Sequence, residues 1–222
     1  MKTAVFDLDG TLADTAGDLI GALNAVARAE GWPGLDPVTD RAVAGQGGRA
    51  LLRRTMAAAG APEDPARVER LLPAFLAAYE ARIAAETRLF PGTEAALGAL
   101  AAAGWRLAIC TNKPEALALG LLDALGVRRR FAAILGADTL PVRKPDPRAF
   151  HETVARAGGA PGRAVMIGDT ATDRETARRA GAPCILVGFG YAAEPLSMLA
   201  PEAAAARMAD IPALAESLLA GA

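Results

Sequence analysis

The sequence predicts an α/β fold: a parallel β-sheet covered by helices, with an all-helical segment inserted near its beginning. Three observations carry this. From about residue 89 onward, short apolar runs alternate with helix-patterned segments, the order that yields a parallel sheet. Residues from about 15 to 88 break that alternation and read as helices alone. An apolar run, Ala4-Val5-Phe6, begins almost at the first residue and ends in an acidic turn, Asp7-Leu8-Asp9-Gly10. The expected architecture is a Rossmann-like core, residues 1–14 and 89–222, with an inserted α-helical domain, residues 15–88.

The elements follow in order. Ala4-Val5-Phe6 is the first strand. Asp7 and Asp9 stand two residues apart, so on a regular strand both would face the core, which excludes paired carboxylates. The strand therefore ends at Asp7, and the chain turns at Gly10. Gly31-Trp32-Pro33-Gly34, Gly45 to Gly48 and Gly60-Ala61-Pro62 punctuate the insertion, and the core resumes near Phe90-Pro91-Gly92. Arg106 to Cys110 is a buried strand, Glu115 to Leu125 a helix stopped by Gly126, and Phe131 to Leu135 a shorter strand. Arg148 to Ala157 is helical and closed by Gly158-Gly159. Ala164 to Ile167 is a strand, Asp173 to Ala180 a helix ended by Gly181, and Cys184 to Val187 the last clear strand. Asp210-Ile211-Pro212 opens a short terminal helix.

Composition excludes several classes. The apolar fraction is 52% over 222 residues and the mean hydropathy +0.23, values of a globular chain rather than a disordered one. No apolar run reaches the roughly 18–20 residues of a membrane span. The first residues lack the pattern of a secretion signal. Cys110 and Cys184 border apolar runs and read as buried thiols of a reducing compartment, so a cytoplasmic location is expected. A net charge of −1 argues against a nucleic-acid surface. His151 is the single His, so a His-based zinc site or a Ser-His-Asp triad is not expected, and it falls on a surface helix. Trp32 and Trp105 read as packing residues.

Lysine usage is more informative. Of 24 basic residues only Lys2, Lys113 and Lys144 are Lys. Lys113 and Lys144 each stand beside a Pro, after candidate strand ends. A compact ammonium differs from a guanidinium fork where a point charge must meet a phosphate or carboxylate.

Polar clusters directly follow three apolar strands: Asp7 with Asp9, Thr111-Asn112-Lys113, and Gly168-Asp169-Thr170-Ala171-Thr172-Asp173. Lys144-Pro145 precedes a helix. In a parallel sheet such groups can meet outside the carboxyl ends of the strands, where ligands bind. Together they offer carboxylates for Mg²⁺, a hydroxyl and N–H groups for phosphate oxygens, and an ammonium.

With these motifs in this order, and an insertion after the first, nearly the whole chain resembles the haloacid dehalogenase-like hydrolase superfamily, which is mostly phosphatases. Within it, Ala44-Gly45-Gln46-Gly47-Gly48, Phe90-Pro91-Gly92, Thr111-Asn112-Lys113, Gly136-Ala137-Asp138-Thr139 and Arg143-Lys144-Pro145-Asp146-Pro147 are similar to the phosphoglycolate phosphatase-like subfamily. The resemblance implies that Asp7 is the nucleophile, forming an aspartyl phosphate. It implies that Asp9 protonates the leaving group and then deprotonates water. Mg²⁺ would be held by the Asp7 carboxylate, the Asp9 carbonyl and Asp169, with Asp173 ligating through water or orienting its partners. Thr111, Asn112 and Lys144 would bind the phosphoryl oxygens.

The insertion becomes a cap that sets substrate choice. Gly45, Gln46 and Gly47 belong to its closing loop, and Arg49 or the loop N–H groups would receive a small carboxylate, as in 2-phosphoglycolate. Asp14 is expected to cap the first helix of the insertion, and Lys113 to stand behind the groups that touch substrate. The expected partner is a small phosphorylated metabolite, with no nucleic acid and no membrane, the chain being a monomer or homodimer.

A dehalogenase would leave Asp9 and the Asp169/Asp173 pair without a purpose. A phosphonatase needs a cap Lys, and residues 15–88 contain none. Phosphatases of sugar phosphates or pyrophosphate, and a sugar phosphomutase, stay open. A non-catalytic binding protein would break the motif set, which here is complete.

Overall fold

The computed structural model describes residues 1–160 and 162–220. Strand β1 (Thr3–Phe6) leads through β2 (Ala13–Asp14) into helices α1 (Ala16–Ala29), α2 (Arg41–Ala44), α3 (Gly48–Ala58) and α4 (Pro65–Glu80), and back through β3 (Arg88–Leu89). Then come α5 (Thr93–Ala102), β4 (Arg106–Cys110), α6 (Glu115–Ala124), β5 (Ala133–Leu135), α7 (Pro147–Arg156), β6 (Ala164–Gly168) and α8 (Ala171–Ala180). The last elements are β7 (Cys184–Val187), α9 (Leu196–Leu199), β8 (Ala203–Ala205) and α10 (Ile211–Ala220).

Six strands form one parallel sheet in the order β5-β4-β1-β6-β7-β8. Every residue of β1 is buried, as a strand covered on both faces requires. Its alternate side chains serve opposite faces. Phe6 joins Leu97, Ile109, Ile167 and Ile185 on one side, and Val5 joins Phe150, Val154, Met166 and Leu186 on the other. Both thiols, Cys110 and Cys184, are buried and free, and His151 is exposed on α7, as expected. From β1 the chain builds β4 and β5 on one side and then crosses to β6 on the other, so the crevice of the sheet opens at the carboxyl end of β1.

The inserted helices carry an apolar core of their own. In α4, Val68, Leu71, Phe75 and Tyr79 recur every third or fourth residue and face Ile20, Leu23, Leu52 and Met56. Asp64 starts α4 by accepting the N–H groups of Ala66 and Arg67 at 2.9 and 3.2 Å. The two crossings into this unit pair antiparallel as β2 and β3. Asp18 ties them together: its buried carboxylate accepts the Glu86 and Thr87 N–H groups at 3.0 and 2.8 Å, the Thr87 hydroxyl at 2.8 Å and Arg82 Nε at 3.1 Å.

Three expectations are corrected. The β2–β3 pair and β8 are additional strands, too short for an alternating pattern. Helix α8 begins two residues early, because Asp173 in its first turn accepts both the N–H and the hydroxyl of Thr170. Asp14 does not cap α1; its carboxylate accepts the Tyr191 hydroxyl at 2.8 Å and pairs with Arg41 at 2.9 Å. Among the described residues no helix is long and apolar enough to cross a membrane.

Candidate active site

The ladder of β1 runs one residue past the strand, since the Asp7 N–H donates to the Ile167 carbonyl at 2.8 Å. The chain then turns at Gly10, whose φ is +80°, with the Gly10 N–H on the Ala13 carbonyl at 2.9 Å. A Cβ at Gly10 would stand 2.3 Å from Asp169 Oδ2, so this turn needs glycine for space as well as for φ. Asp7 and Asp9 are thereby presented at the crevice.

Three carboxylates converge there. One oxygen from each of Asp7, Asp169 and Asp173 lies within 4.8 Å of the others. Asp169 is held by the Thr11 hydroxyl at 2.9 Å and the Tyr191 N–H at 2.7 Å. Asp173 accepts the N–H groups of Asp169 and Thr170 at 3.2 and 3.0 Å. Lys144 Nζ bridges Asp173 at 2.6 Å and Asp7 at 3.0 Å. The loop before α7 delivers this ammonium, braced by Asn112 Nδ2 on the Lys144 carbonyl at 3.0 Å and by Asp146 at the start of the helix.

Burial pushes the Asp7 carboxyl up to about 6, against the pull of Lys144. Burial, then the neighbouring charges of Asp173 and Asp7, raise Asp169 as well. Burial opposes the charge on Lys144, but Asp173 and Asp7 outweigh it and hold the ammonium above its ordinary range. One ammonium thus faces three carboxylates in a desolvated corner. The donors are all hard oxygens and the local charge is negative, which fits a small divalent cation.

Asp9 stands on the other side of the turn, with Lys113 Nζ 2.9 Å from its Oδ1. At the end of β4 the Thr111 N–H extends the ladder to the Leu135 carbonyl at 3.0 Å, and the Thr111 hydroxyl accepts the Lys113 N–H at 3.2 Å. That leaves the Thr111 hydroxyl proton free to donate. Above these groups lies a cleft of about 120 Å³, roofed by the loop Gly45 to Gly48 and by Phe75 and Tyr79 of α4. The loop sits close to the core, because Gly45 leaves only 2.9 Å between a would-be Cβ and Tyr191 Cβ.

A sequence model of haloacid dehalogenase-like hydrolases matches residues 1–181. The chain belongs to that family. It is 46% identical over 217 residues to the phosphoglycolate phosphatase of Caulobacter vibrioides, covering 98% of this chain and 92% of that one. Among solved structures it is similar to a predicted phosphoglycolate phosphatase of Haemophilus somnus 129pt, with a TM-score of 0.86, 28% identity and coverage of 95% and 96%. It is also similar to CbbY of Rhodobacter sphaeroides in complex with phosphate, with a TM-score of 0.77, 25% identity and the same two coverages.

In this haloacid dehalogenase-like hydrolase, Asp7, Asp9, Thr111, Asn112 and Lys144 line one cleft with Gly45, Gln46 and Gly47, while Asp169 and Asp173 stand beneath. Arg49 is the exception. Its guanidinium forms a two-pronged pair with Glu69 at 2.6 and 2.8 Å, outside the cleft, so it is not brought to a substrate carboxylate. Three contributors were missed: Thr11, Tyr79 and Tyr191. Tyr191 ends the glycine-bearing turn after β7, another strand end at the crevice, and that position was its available signal. Nothing in the local pattern separates Tyr79 from the other apolar residues of α4.

Proposed function

We propose that this chain is a Mg²⁺-dependent phosphatase that hydrolyses 2-phosphoglycolate through a phosphoryl intermediate on Asp7, with residues 15–88 as a cap over a core of residues 1–14 and 89–222. The observation that carries the reading is the convergence of Asp7, Asp9, Thr111, Lys144, Asp169 and Asp173, from separate loops, beneath one small cleft. Asp7 attacks phosphorus, the bond to the leaving oxygen breaks, and that oxygen takes the proton of the Asp9 carboxyl. Asp9 then accepts a proton from water, which attacks the same phosphorus. The bond to Asp7 breaks, and inorganic phosphate leaves. Lys144 offsets the repulsion between Asp7 and the phosphoryl oxygens, to which the Thr111 hydroxyl and the Asn112 N–H donate. Mg²⁺ held by Asp7, Asp169 and Asp173, with the Asp9 carbonyl, would neutralise charge on the transferring group.

The substrate reading rests on size and kinship. A cleft of about 120 Å³ is near the ~150 Å³ of an engineered protein cavity that takes up benzene. A two-carbon ester is of that size, and a five- or six-carbon sugar phosphate is larger. The Caulobacter relative carries the name phosphoglycolate phosphatase, which supports the same choice. The test is phosphate release from a panel of esters with Mg²⁺. Release should be fastest from 2-phosphoglycolate, depend on Mg²⁺ and vanish in Asp7→Asn. Release that survives Asp7→Asn overturns the mechanism, and preference for a sugar phosphate overturns the substrate.

A further inference from the structure

One ammonium in the cleft has no part in the phosphoryl chemistry. The Lys113 side chain is 4% exposed, and its Nζ lies 2.9 Å from Asp9 Oδ1. The same Nζ stands 4.3 Å from the centre of the Tyr79 ring on α4. Lys113 therefore sits between the acid–base carboxylate and the inserted helices. Asp9 must reach the ester oxygen of the leaving group, so Lys113 is one hydrogen-bonded neighbour further along that side. A carboxylate one carbon beyond the ester oxygen falls within this reach.

Its donors fit that use. An ammonium has three N–H groups; Asp9 pairs with it at 2.9 Å and Tyr79 packs beside it, so even if each takes one donor a third is left for an incoming carboxylate. Among the described residues lining the cleft, the other cation is Lys144, already committed to Asp7 and Asp173. Arg49 is held by Glu69 and Arg41 by Asp14. Phe75, Leu76 and Leu117 make the nearby wall apolar, so a carboxylate entering there has no other charge to meet.

We infer that Lys113 receives the carboxylate of the leaving group and thereby sets the preference for a carboxylate-bearing phosphate ester. The inference rests on the proposed phosphoglycolate phosphatase activity. Tyr79 lends it a link to the cap, since the ring meets the ammonium only when α4 lies over the core.

The test compares 2-phosphoglycolate with ethyl phosphate, which carries a methyl in place of the carboxylate. The readout is the ratio of their kcat/KM values in wild type, Lys113→Met and Lys113→Gln. Both esters are measured on one preparation, so lost folded protein divides out, and a weakened Asp9 slows the ester with the poorer leaving group, ethyl phosphate, more, which moves the ratio the other way. The wild-type ratio should favour 2-phosphoglycolate and fall roughly 10- to 100-fold in both variants, the worth of one charge-assisted contact. Equal losses on the two esters overturn the role of Lys113 and leave the substrate reading standing, with Lys113 a positioning residue for Asp9. A wild type that hydrolyses ethyl phosphate at least as well as 2-phosphoglycolate overturns the substrate reading and this inference together.

Discussion

Lys144 holds together two carboxylates that would otherwise repel each other, Asp7 and Asp173, with its side chain 2% exposed. Removing such a charge strands its partners, a change that commonly costs about 3–5 kcal/mol. Lys144→Met should therefore melt earlier than wild type, and its kcat should fall about 10²- to 10³-fold as an electrostatic contact to the phosphoryl group is lost. An unchanged kcat at saturating Mg²⁺ would remove Lys144 from the mechanism. Asp7 makes a pH-dependent case in the metal-free protein. Burial raises its carboxyl from 3.8 to about 6, so the folded state binds this proton more tightly than the unfolded state does. The stabilisation is complete below the lower value and is lost as pH rises through about 6. Melting in chelator from about pH 4 to about pH 7 should show wild type losing ground to Asp7→Asn, by roughly 2–4 °C per kcal/mol. A gap that does not change with pH contradicts the assignment.

The paired crossings, β2 and β3, depend on Asp18 in the same way. Its carboxylate satisfies the N–H groups of Glu86 and Thr87, so Asp18→Ala leaves two donors unpaired. That loss should cost about 2–5 kcal/mol and raise KM as the inserted helices loosen over the cleft. Burial works to raise the Asp18 carboxyl, but the bonds from Thr87, Glu86 and Arg82 together hold it below its ordinary range. Its contribution is therefore present above 3.8 and is lost as pH falls through the depressed value, so wild type and Asp18→Ala should converge in acid. A gap in melting temperature that stays constant into acid would contradict this. These crossings were not legible in the sequence, whereas β1 and β4 to β7 were. Ala4-Val5-Phe6 and Leu107-Ala108-Ile109 are apolar runs long enough to announce a buried strand, while Ala13-Asp14 and Ala203-Ala204-Ala205 are strands only because a neighbour offers an edge. The site divides likewise. Asp7, Asp9, Thr111, Asp169 and Asp173 follow strand ends, where the topology alone brings residues together. Arg49 and Asp14 stand apart from their expected positions because their partners, Glu69 and Tyr191, are chosen by tertiary packing.

At the scale of the whole molecule, the inserted helices and the sheet share their packing. The apolar cluster of the insertion takes in Leu117 from α6 and Tyr191 from the turn after β7, both buried. The Tyr191 hydroxyl also accepts the N–H groups of Thr15 and Ala16 at 2.6 and 2.9 Å, while its own N–H holds Asp169. Neither unit can lose its structure without exposing apolar surface of the other or leaving polar groups unpaired. The two should therefore unfold in one step, although chains with two cores often do not. Calorimetry should give a single transition, its enthalpy near 150 kcal/mol at about 60 °C from roughly 0.7 kcal/mol per residue over 222 residues. Its van't Hoff and calorimetric enthalpies should agree. Leu117→Asp places a charge in the shared cluster and should split the transition, the helices melting before the sheet. Two resolved transitions in wild type would mean that the seam at Leu117 and Tyr191 is too weak to couple the units, and that the cap opens on its own equilibrium rather than with the site.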